Sequence, residues 1–372
     1  MQRRQGALDD VAIVNAAFWQ GRSVVVTGHT GFKGGWLSLW LDSLGARVHG
    51  YALDPITRPS LCDAARIASI MTSDVRADLD DLAQLTAAVH RAQPSVVFHL
   101  AAQPLVRDSY LNPLQALRTN VLGTAHVLEA VRHAPSVSAV VIITTDKVYA
   151  QPDRPRAHQE GDPLGGHDPY SASKAAAEIV TASYRASFFG PGGPAGAHVA
   201  TARAGNVIGG GDWAEDRLIP DCIRAFGAGA PVSLRYPHAV RPWQHVLEPL
   251  SGYLELAERL AGPDGARYAT AWNFGPDDRS DATVTDVAHR LAALWGRGAA
   301  VIHAPSEAHP HESAVLRLDS SHACQELGWQ PRWALADALG QTLAWYRAWD
   351  QREDMAAFSL RQIQDFAGTA QA

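Results

Sequence analysis

Lysine is almost missing from this chain. Of 32 lysines and arginines only three are lysine, Lys33, Lys147 and Lys174, and the other 29 are arginine. A surface cation can be either residue at little cost. A chain that has drifted this far keeps lysine where a guanidinium will not serve. Lysine offers a compact ammonium whose pKa moves with burial, whereas arginine stays charged. Each of the three lies in a motif-like stretch: "TGHTGFKG", "TTDKVY" and "PYSASK".

Other shortages exclude whole classes. Cys62, Cys222 and Cys324 are scattered and form no CxxC, so neither a disulfide framework nor a zinc site is suggested and a reducing cytoplasm is the default. A net charge of -6 gives a nucleic-acid partner no electrostatic support. No apolar run approaches the length of a membrane span. The first residues, "MQRRQGALDDVAIVNAAFW", hold acids within their apolar stretch, which argues against a signal peptide. Repeats and long low-complexity segments are missing too. What is present is ordinary: 372 residues, 47% apolar and 19% charged, enough for one large domain or two coupled ones.

Strand and helix patterns alternate from about 22 to 208. "SVVVTG", "ARVHGYALD", "SIMTSDV", "SVVFHLAAQ", "SAVVIITTD" and "HVATARAGNVIG" read as strands. "GGWLSLWLDSLG", "DLAQLTAAVHRAQ", "PLQALRTNVLGTAHVLEAVRH" and "PYSASKAAAEIVTASYRASFF" read as helices. This order predicts an α/β protein: a Rossmann-like, doubly wound parallel sheet over 18–208. A smaller C-terminal domain, mainly substrate-binding, is expected over 209–350, where loops, Trp, Pro and Arg are more frequent. Within it about 240–275, including "QHVLEPLSGYLELAERL", is expected to cross back to the first domain. Residues 1–17 and 351–372 are expected as peripheral extensions.

Gly28, Gly31 and Gly34 stand between a predicted strand and a predicted helix. Glycine allows the tight turn and the close approach of a pyrophosphate, and the helix that follows points free N–H groups at it. Asp54 closes the second strand, where a carboxylate can accept from ribose hydroxyls and favour NAD over NADP; the alternative is a turn aspartate before Pro55. Asp74 either accepts from the adenine amine or caps a helix. Tyr170 and Lys174 are four apart, hence on one helix face. A neighbouring ammonium and a nicotinamide cation would lower the phenol's pKa, so that it could take a proton from a sugar hydroxyl as hydride leaves.

Taken together, "TGHTGFKG", "HLAAQP", "TNVLGT", "TTDKVY" and "YSASK" resemble the extended short-chain dehydrogenase/reductase family, in order over most of the chain. "GNVIGGGDWAEDRLIPD" and "AVRPWQHVLEPLSGYL" narrow the resemblance to its nucleotide-sugar 4,6-dehydratases, those acting on CDP-glucose in particular. The resemblance implies a homo-oligomeric lyase with bound NAD and no metal. It implies Thr145, Asp146, Lys147, Tyr170 and Lys174 as catalytic residues. It implies that the cofactor touches Gly28, Thr30, Gly31, Phe32, Gly34, Asp54, Asp74, Val75, Leu100, Ala101 and Ala102, besides Tyr170 and Lys174. Gln103, Asn206, Arg217, Arg241 and His311 would hold the sugar nucleotide. "HPHES", from His309 to Ser313, has metal-like spacing, but the implied chemistry needs no metal.

That chemistry gives the rare lysine after "VVIITT" a purpose. The C5 proton of a hexose is not acidic until C4 is a ketone. Loss of the C6 hydroxyl then needs an acid and a base, and Asp146 and Lys147 suit those roles. Glutamate is usual at position 147 in dTDP-glucose relatives, so Lys147 acts either as a neutral base or as a cation stabilising the C4 enolate.

Overall fold

A computed structural model describes residues 14–151, 156–190, 196–277, 281–296, 298–303 and 315–368. Its centre is a parallel sheet of seven strands: β1 (Ser23–Thr27), β2 (Arg47–Ala52), β3 (Ser73–Arg76), β4 (Val96–His99), β5 (Ala139–Ile143), β6 (His198–Arg203) and β7 (Ala271–Asn273). The spatial order is β3-β2-β1-β4-β5-β6-β7, so the winding reverses between β1 and β4. That crevice is where open α/β sheets bind ligands.

The strands are apolar on both faces because both are covered. Val24 and Val26 of β1, with Val141 and Ile143 of β5, enter one core, and Val25, Val140 and Ile142 enter the other. The principal helices are α1 (Phe32–Ser43), α2 (Leu82–Ala92), α3 (Gly123–Arg132), α4 (Pro169–Tyr184), α5 (Leu247–Leu260), α6 (Leu335–Asp350) and α7 (Met355–Gly368). α2 and α3 bring Leu85, Val89, Val127 and Val131 to the second core. α1 and α5 bring Trp36, Leu37, Leu250 and Leu254 to the first.

Residues 240–275 return to the sheet: α5 shares the core of β5, and Ala271–Asn273 pairs with β6 as β7. Residues 351–372, expected at the periphery, include α7, whose Ile363 and Phe366 are buried; the Phe366 ring meets Trp40 of α1 edge-on at 5.8 Å. Two predicted strands are shorter than expected. Ile67–Ile70 forms a 3-10 turn before β3. "HVATARAGNVIG" breaks into His198–Arg203 and Val207–Ile208, with Asn206 left-handed between them at φ 43°. At Gly205, within the break, the chain passes close to Asp146: a Cβ there would fall 2.0 Å from its Oδ2. The two long helices carry π-turns, at Arg118–Leu122 and Arg185–Phe189. No described helix is long and apolar enough to cross a membrane.

Candidate active site

The carboxyl ends of β4, β5 and β6 and the first turn of α1 enclose a cleft of about 330 Å3. Lys33, Lys147 and Lys174 all line it. Every lysine of the chain therefore faces one cavity.

Two of its walls are set by short-range structure. α4 starts at Pro169, and Asp168 caps it, accepting from Ser171 N at 2.9 Å. That start puts Tyr170 and Lys174 one turn apart in the cleft, both buried. Lys174 Nζ donates to the Ile143 carbonyl at 3.0 Å, fixing it against the end of β5. Burial pulls the Lys174 pKa down to about 8, against the pull of Glu178. Burial pushes Tyr170 up to about 12, and hydrogen bonding with Thr145 and the charge of Arg217 oppose that rise.

β5 ends at Ile143, and the chain turns at once into a 3-10 turn, Asp146–Val148, which Thr145 caps by accepting from Lys147 N at 3.4 Å. Asp146 is 2% exposed. Its Oδ1 accepts from Thr145 Oγ1 at 2.9 Å, and its Oδ2 is buried with no partner. Lys147, beside it, is half-buried.

Beneath Lys174 lies a buried ion pair. Glu178 accepts from Thr144 Oγ1 at 2.5 Å, from Thr201 Oγ1 at 2.7 Å, and from Arg203 Nε and Nη2 at 2.9 Å each. Burial would raise the Glu178 pKa, but these donors hold it below the ordinary carboxylate value. The pair ties α4 to β5 and β6.

The glycine loop fits a dinucleotide. Gly28 has φ 77°, and a Cβ there would lie 2.6 Å from Ala101 N. A Cβ on Gly34 would lie 2.1 Å from Gly28 O, so α1 starts tight against the loop. A Cβ on Gly31 would meet only Gly28 O, at 3.4 Å, which leaves that surface open to a diphosphate. Thr30 Oγ1 donates to the Leu53 carbonyl at 2.9 Å and joins the loop to the end of β2. Phe32, Leu100 and Ala102 line the cleft, and Ala101 N donates to Thr27 Oγ1 at 3.3 Å.

Toward the sheet edge, Asp54 is 84% exposed, with Arg76 Nη1 3.5 Å away. Asp74 is held by Arg76 at 2.7 Å through two nitrogens and by His29 Nε2 at 2.9 Å. Burial would raise the Asp74 pKa, but Arg76 and His29 hold it below its ordinary value. Asp74 caps no helix; Asp81 caps α2. Val75, its neighbour, packs half-buried against the second core.

The residues expected to hold the sugar nucleotide are not all together. Asn206, Arg217 and Arg241 line the cleft. Arg217 Nη1 pairs with Asp212 Oδ2 at 2.8 Å, and Arg241 is buried. Gln103 turns aside: its Nε2 donates to Asp108 Oδ2 at 2.6 Å. His311 and "HPHES" lie outside the described residues, among which no group of three or more His, Cys, Asp or Glu could hold a metal. Three lining cations had no expected role in the site. Lys33 is one, and its rarity was the signal. Arg107 and Arg235 are the others; both pair with Asp216. Among 29 arginines nothing in the sequence marks them.

Comparison with known proteins agrees with this geometry. The chain is 48% identical to the CDP-glucose 4,6-dehydratase of Salmonella typhimurium, over 95% of this chain and 98% of that one. It is 27% identical to the dTDP-glucose 4,6-dehydratase of Xanthomonas campestris, over 91% of this chain and 98% of the other. Among solved structures, MoeE5 in complex with UDP-glucuronic acid and NAD superposes with a TM-score of 0.73 at 28% identity, covering 87% of this chain and 99% of that one. The family model for GDP-mannose 4,6 dehydratase matches residues 25–342. With that match spanning the glycine loop, the acid–lysine pair and the tyrosine–lysine helix, the chain belongs to the GDP-mannose 4,6 dehydratase family.

Proposed function

We propose that this chain is an NAD-dependent hydro-lyase that converts CDP-glucose to CDP-4-keto-6-deoxyglucose. The observation that carries the reading is the placement of Asp146 and Lys147 in the same cleft as Tyr170 and Lys174. Oxidation at C4 alone would need only the second pair. The first pair supplies what elimination adds. The choice of cytosine as the base rests on the 48% identity to the Salmonella typhimurium enzyme.

The roles follow from the atoms. Bound NAD would accept the C4 hydride and later return it to C6. Tyr170, as phenolate, takes the C4 hydroxyl proton, and the Lys174 ammonium holds the cofactor and favours that anion. Lys147 takes the C5 proton, or steadies the enolate that forms when it leaves, and a proton returns to C5 as the hydride reaches C6. Asp146 gives its proton to the C6 hydroxyl, which departs as water. Over a full cycle the proton taken by Tyr170 has to end on Asp146. Thr145 lies between the two: it donates to Asp146 Oδ1 at 2.9 Å and hydrogen bonds with the Tyr170 side chain. Asn206, Arg217 and Arg241 are suited to the substrate's sugar and phosphates, since guanidinium forks match phosphate oxygens.

Three free cysteines suit a reducing cytoplasm. Leu111 and Leu114, 80% and 79% exposed, with Leu117, Leu122 and the Ile179 side chain of α4, leave an apolar surface that suits a homo-oligomer. The deciding assay offers CDP-, dTDP-, UDP- and GDP-glucose with NAD and scores 4-keto product. CDP-glucose is expected to turn over fastest. Faster turnover of dTDP-glucose would reassign the base, and epimerised product without water loss would remove the dehydratase reading.

A further inference from the structure

The conformation of Gly205 does not call for glycine. Glycine is demanded where φ is positive, and Gly205 is not among the residues with positive φ. What sets it apart is its neighbour. A Cβ built on Gly205 would fall 2.0 Å from Oδ2 of Asp146, 2.2 Å from its Cγ and 2.6 Å from its Oδ1. The carboxyl group therefore occupies the space that any side chain at 205 would take. Both residues are buried and both line the cleft. The backbone at 205 has little room to give way. The Arg203 carbonyl accepts from Phe274 N at 2.8 Å, the Gly205 carbonyl from Gln244 Nε2 at 3.2 Å, and the Asn206 carbonyl from Gln244 N at 3.4 Å. The Gln244 side chain is buried in turn and also donates to the Phe274 carbonyl at 2.8 Å. A side chain at 205 would thus move the carboxyl and leave the backbone in place. Ordinary contact begins near 3.4 Å, so the carboxyl would retreat by more than an ångström and lose its hydrogen bond from Thr145 Oγ1.

We propose that Gly205 is a positioning residue for the elimination step: the space left by its missing side chain seats the Asp146 carboxyl and holds it where it meets the C6 hydroxyl. The inference rests on the reading of Asp146 as the acid of that step. A catalytic group misplaced by about 1 Å can cost about a hundredfold in rate. Oxidation at C4 belongs to Tyr170 and Lys174 instead. The three atoms nearest to a Cβ at 205 all belong to Asp146, and none to that second pair. A side chain at 205 should therefore separate the two halves of the reaction.

Gly205→Ala, Asp146→Ala and the double variant are compared with wild type, as full chains with NAD and CDP-glucose. In a single turnover Gly205→Ala should still form NADH but dehydrate about a hundredfold more slowly, so that NADH accumulates. Equal loss of oxidation and dehydration would mark a residue needed only for the fold, and overturns the proposal. The double variant gives an independent reading. Asp146→Ala has no carboxyl left to displace, so adding Gly205→Ala should not slow its residual dehydration further. A further drop of about tenfold shows that Gly205 acts by another route, and overturns the proposal. Urea unfolding follows the same logic. Gly205→Ala should lower the midpoint in the wild-type background and leave it unchanged in Asp146→Ala. If Gly205→Ala alone fails to fold, the double variant should fold, and its failure too overturns the proposal. Dehydration by Gly205→Ala at the wild-type rate overturns it and leaves the functional reading standing. If the wild type forms no 4-keto-6-deoxy product, both fall.

Discussion

Two sets of carboxylate–guanidinium contacts frame the cleft, one beneath it and one at its rim. Glu178 and Arg203 lie beneath, with side chains only 3% and 4% exposed. Asp216 sits at the rim, 35% exposed, with Arg107 and Arg235 at 50% and 27%. The chemical groups are the same, and water makes the difference. The buried pair cannot be exchanged: either partner left alone would be an unpaired charge in a dry site. The rim contacts are screened and worth little, so an arginine there can leave Asp216 for a phosphate oxygen at small cost. The floor holds the catalytic helix still. The rim is free to rearrange around a ligand.

The largest test strikes the helix that the floor supports. Tyr170→Phe should slow C4 oxidation by roughly a thousandfold. In a single turnover with NAD and CDP-glucose, no reduced nicotinamide should appear at 340 nm. Wild-type NADH formation would remove Tyr170 from the proton-accepting role. Glu178→Gln tests the floor itself. It leaves Arg203 buried and unpaired, and should cost roughly 3–5 kcal/mol in urea unfolding. A loss under about 1 kcal/mol would make the buried pair no different from the rim.

Lys147→Met acts between floor and rim. It should still oxidise C4 but stall before water is lost, so that NADH accumulates and dehydration falls about a hundredfold. Exchange of the C5 proton in heavy water should fall with it. Lys147→Arg separates the two roles, since a fixed cation can steady an enolate but cannot act as a neutral base. Dehydration at the normal rate in Lys147→Met would make the residue a bystander. The smallest effect belongs to the rim. Asp216→Asn frees Arg107 and Arg235, and should lower KM for the nucleotide sugar by about two- to fivefold with kcat unchanged. A tenfold rise in KM would show instead that Asp216 itself touches the substrate.

Much of this cleft was legible in the chain because its parts are local. The glycine loop, the tyrosine–lysine spacing and the acid–lysine pair each occupy a few consecutive residues, and each follows or opens a regular element. Strand and helix periodicity placed them at the carboxyl end of one sheet. The close approach of Gly205 to the Asp146 carboxylate was not legible, because the two lie 59 residues apart in the chain. The burial of α7 was not legible either: an amphipathic helix at the end of a chain does not announce that Trp40 waits for its phenylalanine.

By itself, then, the sequence determined which groups could do chemistry: an arginine-rich chain kept three lysines, each in a motif. Only the tertiary structure decided that all three face one cavity, and that burial pushes Tyr170 up against the pull of Thr145 and Arg217. It also decided which arginines line the cleft and which are spent on Glu178. The physical reason is common to all of these. Spacing along a chain sets which side chains share a helix face, but charge interactions and desolvation depend on distance and on water, and those are settled only when remote segments pack.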